Sequence, residues 1–254
     1  MQVEKEEIIL KSGYHIYMGG FSEIGVDKDK NQDAIKIGNI VNKEIAYILV
    51  ADGLGSCRMS DVGADKIIEL AEEWIINRLP MYSILSNSVA NIFMKKLIEA
   101  WNMVYDVTEK YDYDTTLHFS VFYKGNVLVG GIGDGMVLLS YDDLVCKDYI
   151  DNTGSFSNVT NSMCSNDVWE LMTGEIIENS GYNTEMQIII STDGIADDLI
   201  PEKKLTLTEY FKSLIHENGV ESLQTEIIDW IQDWRTEGHS DDKSLCYMII
   251  EKEV

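Results

Sequence analysis

Two aspartates follow strongly apolar segments, and each is followed by glycine. Asp52 ends the apolar run 45–51, and Asp193 comes shortly after the isoleucine run 188–190. Runs of β-branched residues predict buried strands, and the glycine permits a tight turn at the strand end. Each Asp-Gly pair is equally typical of a plain turn. Two carboxylates at the ends of two core strands could also share one hard cation or two.

Three further aspartates border predicted strands or turns. Asp33 stands at the entrance of a strand over 34–37, Asp241 precedes a final strand over 245–250, and Asp134 tips a predicted hairpin. Carboxylate and carbonyl oxygens without His or Cys partners suit Mg²⁺ or Mn²⁺ and argue against zinc. A carboxylate bridging two such ions about 4 Å apart would let a shared water ionise near neutral pH and attack phosphorus in line. The pattern predicts a hard-metal site.

The elements that must position these acids are short strands and amphipathic helices. Strands at 115–123, 126–132 and 136–141, with turns at 124–125 and 133–135, predict an antiparallel meander. The segment 131–136 lacks the third glycine of a dinucleotide-binding loop and is not interpreted as one. His15 and His118 fall within strand patterns and are expected to be satisfied inside the sheets. Strands are also predicted at 14–21 and 45–51, and helices at 60–79, 86–110, 207–218 and 220–234.

Length and composition favour one domain over residues 1–254. The chain has only two prolines and no repeat or linker-like tract. From 142 to 185 the periodicity weakens and the sequence becomes polar, which predicts an insertion or flap near the site mouth.

Charge and targeting signals exclude several classes of partner. The 44 acidic and 20 basic residues give a net charge of −24, which disfavours nucleic acid and anionic membrane surfaces. The charged N-terminus lacks a signal-like apolar region, and no apolar stretch approaches the roughly 20 residues of a membrane span. The four cysteines show no Cys-x-x-Cys spacing. We therefore expect a cytoplasmic protein with reduced thiols.

Six short motifs occur together in a characteristic order along almost the whole chain. The motifs are Gly25 with Lys28-x-x-Asn31-Gln32-Asp33-Ala34, Ala51-Asp52-Gly53-Leu54-Gly55, Thr115-Thr116, Gly133-Asp134-Gly135, Ser191-Thr192-Asp193-Gly194 and Asp241-Asp242-Lys243-Ser244. Each motif is weak alone, but the ordered set is specific. In this order and spacing, the chain resembles the bacterial-type members of the protein phosphatase 2C (PPM) family, which are metal-dependent serine/threonine phosphatases.

The resemblance implies an α+β fold and a ligand set for two Mn²⁺ or Mg²⁺ ions. The implied fold is a four-layer α-β-β-α sandwich with two antiparallel β-sheets and the metal centre at one edge. Asp52 would bridge the two ions, and the carbonyl of Gly53 would complete one site. Asp193 and Asp241 would hold the other ion.

Further roles and departures follow from the same resemblance. Asp33 would act through metal-bound waters, and Asp134 would help hold a third, weaker ion. Lys28 stands where the family usually carries a phosphate-gripping arginine, although a lysine is a point charge without the bidentate fork. Leu54 stands where eukaryotic relatives often carry a histidine proposed as the general acid. His239 is a conceivable substitute, but a loop histidine facing water is the favoured interpretation.

The implied function is hydrolysis of phosphoserine and phosphothreonine in proteins, in signalling opposite a Ser/Thr kinase. Two other functions stay open. One is a pseudophosphatase that binds phosphoproteins or a kinase, and the other is a metal-dependent phosphohydrolase for small molecules. The complete set of acids argues against an inert domain, because clustered like charges destabilise a fold.

Overall fold

The computed structural model describes residues 1–106, 108–141, 144–149, 160–178, 185–234 and 240–252. The strands in these residues are β1 Gln2–Ile9, β2 Tyr14–Glu23, β3 Asp33–Ile40, β4 Ile45–Asp52, β5 Leu117–Tyr123, β6 Asn126–Ile132, β7 Met136–Tyr141, β8 Leu144–Asp148, β9 Thr173–Ile177, β10 Glu185–Ser191 and β11 Lys243–Lys252. The helices are α1 Ser60–Asn77, α2 Asn87–Val104, α3 Val168–Leu171, α4 Asp193–Ala196, α5 Pro201–Asn218 and α6 Val220–Asp233.

The strands form two antiparallel sheets. Sheet A has the order β1-β2-β11-β10-β7-β8, and sheet B has the order β3-β4-β5-β6-β9. The position of strand β4 between two apolar layers explains its unbroken apolar sequence. Leu49 faces the helices α1 and α2, whereas Ile48 and Val50 face the opposite sheet. Both faces of this strand are buried, so alternation with polar residues is absent.

Three apolar clusters stack the elements into four layers. The cluster between the sheets joins residues such as Ile48 of sheet B and Ile188 of sheet A. Helices α1 and α2 cover the outer face of sheet B through Ile67 and Phe93. Helices α5 and α6 cover the outer face of sheet A, where Phe211 packs. The predicted α-β-β-α sandwich with two antiparallel sheets is confirmed.

The predicted meander is wrong at its second turn. β5 and β6 pair as expected, but β7 pairs with β10 and β8 in the other sheet. The segment 133–135 is therefore a crossover between sheets, and Asp134 does not tip a hairpin. Gly133 has φ 131°, a conformation that side chains rarely adopt, and this lets the chain leave sheet B abruptly. A Gly-Asp-Gly sequence between two strands does not distinguish a hairpin from such a crossover.

Two further stretches bear on the predictions. Strand β1 was not predicted, and it pairs with β2 at the edge of sheet A. The stretch 142–185 contains β8 and β9, which are edge strands of the two sheets. Residues 150–159 and 179–184 lie outside the described residues, so the flap remains a prediction there. No helix within the described ranges is long and apolar enough to cross a membrane.

Candidate metal centre

Asp33 and Asp52 meet at one end of sheet B. Asp33 is the first residue of β3, Asp52 is the last of β4, and the antiparallel register places them directly opposite each other. Thr116 fixes the Asp52 end, because its side chain accepts from the Asp52 N–H (2.9 Å) and its own N–H donates to the Asp52 carbonyl (2.8 Å). The next residue, Gly53, donates its N–H to the Gln32 carbonyl (3.1 Å). The two strand ends are thus locked together by backbone contacts.

Asp193 and Asp241 come from neighbouring strands of sheet A at the same edge of the sandwich. Asp193 opens the short helix α4 after β10, and Asp241 lies two residues before β11. The two sheets are joined at this edge because Thr192 Oγ1 donates to Asp33 Oδ2 (2.9 Å). Close packing also needs glycine here, since a Cβ on Gly194 would lie 2.0 Å from the Asp242 carbonyl oxygen. Four of the predicted acids therefore converge on one region.

Asp52, Asp193 and Asp241 line two adjoining hollows. The first, of about 500 Å³, includes Lys28, and the second, of about 310 Å³, includes Asp52 and Asp134. Asp193 and Asp241 line both hollows. The result is one open acidic cleft with a single lysine on its wall among the described lining residues.

The carboxylates of the cleft oppose one another's ionisation. Burial raises the pKa of Asp33 to about 7, and the nearby charge of Asp193 adds to the rise. Burial also raises the pKa of Asp193 to about 6, helped by the charges of Asp134 and Asp241. The pKa of Asp52 is raised well above its ordinary range by burial and by its acidic neighbours. A bound divalent cation would relieve this repulsion.

The donor chemistry fits hard divalent ions. The side chains of Asp52 and Asp193 share a hydrogen bond, and Asp241 is close enough to act electrostatically on both. All the donors are oxygens, as Mg²⁺ and Mn²⁺ prefer. No three Asp, Glu, His or Cys side chains among the described residues lie in position to hold one ion together. Ligation of one ion by three of these side chains therefore requires side-chain movement. The Asp241 carboxylate, which contacts Lys28, is the side chain most evidently placed to move.

Asp134 lies beside the second hollow in the crossover between the sheets. Thr160 Oγ1 donates to Asp134 Oδ2 and lines the same hollow. The charge of Asp134 contributes to the raised pKa of Asp193, so the two carboxylates are neighbours. This position is compatible with the third, weaker ion implied by the resemblance.

Two buried aspartates that frame the site were not predicted as site residues. Asp242 accepts from the N–H groups of Gly25 (2.7 Å) and Gln32 (2.8 Å), which ties the loop before β3 to the start of β11. Asp114 accepts from Ser162 Oγ (2.6 Å) and the Cys164 N–H (3.0 Å), while its carbonyl accepts from the N–H of residue 54 (3.1 Å). The doubled acid at 241–242 was the only signal for Asp242, and residue type alone does not show which of the two faces inward.

Comparison with known proteins decides the family. A sequence model described as protein phosphatase 2C matches residues 25–232. The chain belongs to the protein phosphatase 2C family. It is therefore an enzyme of the protein serine/threonine phosphatase class. None of the curated protein sequences gives a significant match.

Solved structures share the protein phosphatase 2C fold with this chain at low identity. RsbX in complex with magnesium is 14% identical, with 99% of this chain and 100% of RsbX covered and a TM-score of 0.61. The serine/threonine phosphatase of S. agalactiae is 15% identical, with coverages of 94% and 100% and a TM-score of 0.67. The catalytic domain of PstP in complex with two manganese ions is 12% identical, with coverages of 94% and 100% and a TM-score of 0.65. These structures confirm the fold.

The histidines that the structure describes do not supply an evident general acid to this protein phosphatase 2C site. His239 lies outside the described residues. His15 is satisfied, because its ring contacts Glu7 (2.8 Å) and Tyr17 (3.1 Å). His118 is buried as expected, but the expectation that it is satisfied is wrong, since neither ring nitrogen has a hydrogen-bond partner within the described part of the chain. Its ring lies close to three glycines of the crossover region, Gly131, Gly133 and Gly135.

Proposed function

We propose that this chain hydrolyses phosphoserine and phosphothreonine in proteins with the help of two Mn²⁺ or Mg²⁺ ions and a third, weaker ion. The observation that carries the proposal is the convergence of acids from both sheets at one edge. Asp33 and Asp52 come from sheet B, and Asp193 and Asp241 come from sheet A. The raised pKa values of Asp33, Asp52 and Asp193 reflect a cluster that is costly to ionise without cations.

Each acid has a proposed role set by its position. Asp52 is acted on electrostatically by Asp33, Asp193 and Asp241 and would contact both ions, with the Gly53 carbonyl beside it. Asp193 and Asp241 would hold the second ion. The chemistry that two such ions supply when bound is activation of a water for in-line attack on phosphorus. The protein's own contribution is to hold these oxygens on rigid strand ends.

The remaining polar residues would orient water and substrate. Asp33 is held by Thr192 and would accept hydrogen bonds from waters in the cleft. Asp134 would help hold the third ion. Lys28 lines the first hollow and would contact the substrate phosphate with a free N–H of its ammonium. Leu54 has no proton to give, so the leaving group would take its proton from water.

Phosphorylated proteins as substrates, an opposing Ser/Thr kinase and a cytoplasmic location belong to this proposal. Family membership supports the substrate class. The four cysteines are free thiols, as is usual in a reducing compartment. The net charge of −24 keeps the acidic surface unfavourable for nucleic acid.

Phosphate release is the direct test. Phosphoserine and phosphothreonine peptides, p-nitrophenyl phosphate and a panel of phosphorylated metabolites would be compared with Mn²⁺ and with EDTA. We expect Mn²⁺-dependent release from the peptides in the wild type and at least a hundredfold loss in Asp52→Asn. Asp229→Asn removes an exposed carboxylate from helix α6 and serves as the matched control.

The alternatives predict other outcomes. Release from metabolites alone would favour a small-molecule phosphohydrolase. Phosphopeptide binding without any turnover in Mn²⁺ would favour a pseudophosphatase. An Asp52→Asn variant as active as the wild type would contradict the proposed site.

A further inference from the structure

Lys28 is held by two carboxylates at the cleft wall. Its ammonium contacts Asp241 Oδ1 and lies 3.1 Å from Asp242 Oδ2. These contacts use two of its three N–H donors and leave one for another ligand. The lysine side chain is 25% exposed, so the contacts are partly shielded from water and salt.

The two acceptors differ in their freedom to move. The Asp242 side chain is 1% exposed and also accepts from the N–H groups of Gly25 and Gln32, so its position is fixed by the fold. The Asp241 side chain is 49% exposed and accepts only one further bond shown within the described residues, from the Asp242 N–H (2.9 Å). Asp242 therefore anchors the ammonium, while the ammonium restrains Asp241.

In this arrangement Lys28 and a divalent ion would compete for the Asp241 carboxylate. The oxygen that Lys28 contacts belongs to a carboxylate that acts electrostatically on Asp52 and Asp193. An ion ligated by Asp241 must displace the ammonium, which costs Lys28 its ion pair with Asp241, or share the carboxylate with it, which places two cations close together. Both outcomes weaken the binding of the ion.

We infer that Lys28 is a built-in competitor for the Asp241 carboxylate and thereby sets the metal affinity of this site. The inference rests on the proposed function for the identity of the ions as Mn²⁺ or Mg²⁺. It adds a role for Lys28 that is separate from contact with substrate phosphate. Lys28 is here a positioning residue, because it acts through Asp241.

The test is calorimetric titration of the metal-free protein with Mn²⁺. Lys28→Met keeps the length of the side chain and removes its charge, and we expect the apparent Kd for Mn²⁺ to fall about tenfold. Lys28→Gln provides a second neutral variant that can still donate to Asp242, and it should show the same direction. Lys30→Met is the matched control, because Lys30 lies in the same loop but pairs with Asp61.

Each outcome is decisive. An unchanged or weaker Mn²⁺ affinity in both neutral Lys28 variants overturns the inference, provided thermal unfolding shows that one of them is folded. An equal gain in Lys30→Met also overturns it, since the effect would then be general charge removal. A wild type that binds no Mn²⁺ would contradict the proposed function itself. Inhibition by inorganic phosphate gives an independent readout, and it should weaken in Lys28→Met while Mn²⁺ binding tightens.

Discussion

Replacement of His118 by leucine tests the consequence of burying a histidine beneath the crossover that carries Asp134. His118 is fully buried on β5, and its ring nitrogens lack partners among the described residues. A Cβ added at Gly135 would lie 2.5 Å from the ring, so the crossover rests directly on the imidazole. Burial lowers the pKa of His118 from 6.5 to about 4.

The direction in which the free energy of unfolding changes with pH follows from proton binding to His118. Below pH 6.5 the unfolded chain protonates this histidine, whereas the folded chain keeps it neutral down to a pKa of about 4. The stability that depends on neutral His118 is therefore fully present above pH 6.5 and is lost progressively as the pH falls towards 4. The loss is about 3 kcal/mol over the whole window and about 2 kcal/mol between pH 7.5 and pH 5.

Urea unfolding at about pH 7.5 and pH 5 would measure this loss. The wild type should lose about 2 kcal/mol more free energy of unfolding than His118→Leu between the two conditions. Leucine is used because its volume is close to that of histidine. His216→Gln removes a largely exposed histidine on α5 and should behave like the wild type. Equal losses in the wild type and His118→Leu would refute the reasoning.

Three further predictions concern the site and its frame. Asp193→Asn should reduce Mn²⁺-dependent phosphate release at least a hundredfold, with an unchanged far-ultraviolet circular dichroism spectrum; full activity would remove Asp193 from the ligand set. Asp114→Ala leaves buried donors, including Ser162, without their acceptor and should cost about 3 kcal/mol, which is roughly 10 °C of thermal stability for a chain of this size. An unchanged melting temperature would show that the hydrogen bonds of Asp114 do not stabilise the fold. Gly194→Ala should lower both stability and activity, because its Cβ would lie 2.0 Å from the Asp242 carbonyl oxygen; wild-type behaviour in both assays would mean that this contact relaxes freely.

The fold and the approximate positions of the acids could be predicted from the sequence because they depend on local signals. An apolar run that ends at Asp-Gly marks a buried strand and its end, and this holds for Asp52 at the end of β4. Asp33 opens β3 as predicted. Partners across the sandwich are not encoded locally. Strand β7 therefore could not be assigned to sheet A from its sequence, since the glycines around Asp134 suit a hairpin equally well.

Strand β1 shows a second limit. Its sequence is rich in glutamate, which is unusual in strands, and no apolar alternation marks it. One of these glutamates contacts β3, the edge strand of sheet B, where Glu4 Oε2 accepts from the Ile37 N–H (2.8 Å). Such side chains protect an open sheet edge, and this purpose becomes evident only when both sheets are in place.

The contacts of Lys28 and Asp242 show why the details of the site needed a structure. The sequence places Lys28 in a loop before Asp33, where a free phosphate contact and a paired ammonium are both possible. The structure pairs Lys28 with Asp241 and Asp242, which are 213 and 214 residues away in sequence. Long-range pairing of this kind leaves no local pattern.

The most direct test of the central claim is a crystal structure of the protein grown with Mn²⁺, with anomalous diffraction used to locate the ions. The account predicts at least two anomalous peaks in the cleft, two of them within ligand distance of Asp52, with Asp193 and Asp241 on one of these two. Peaks elsewhere on the acidic surface, and none beside Asp52, would contradict it.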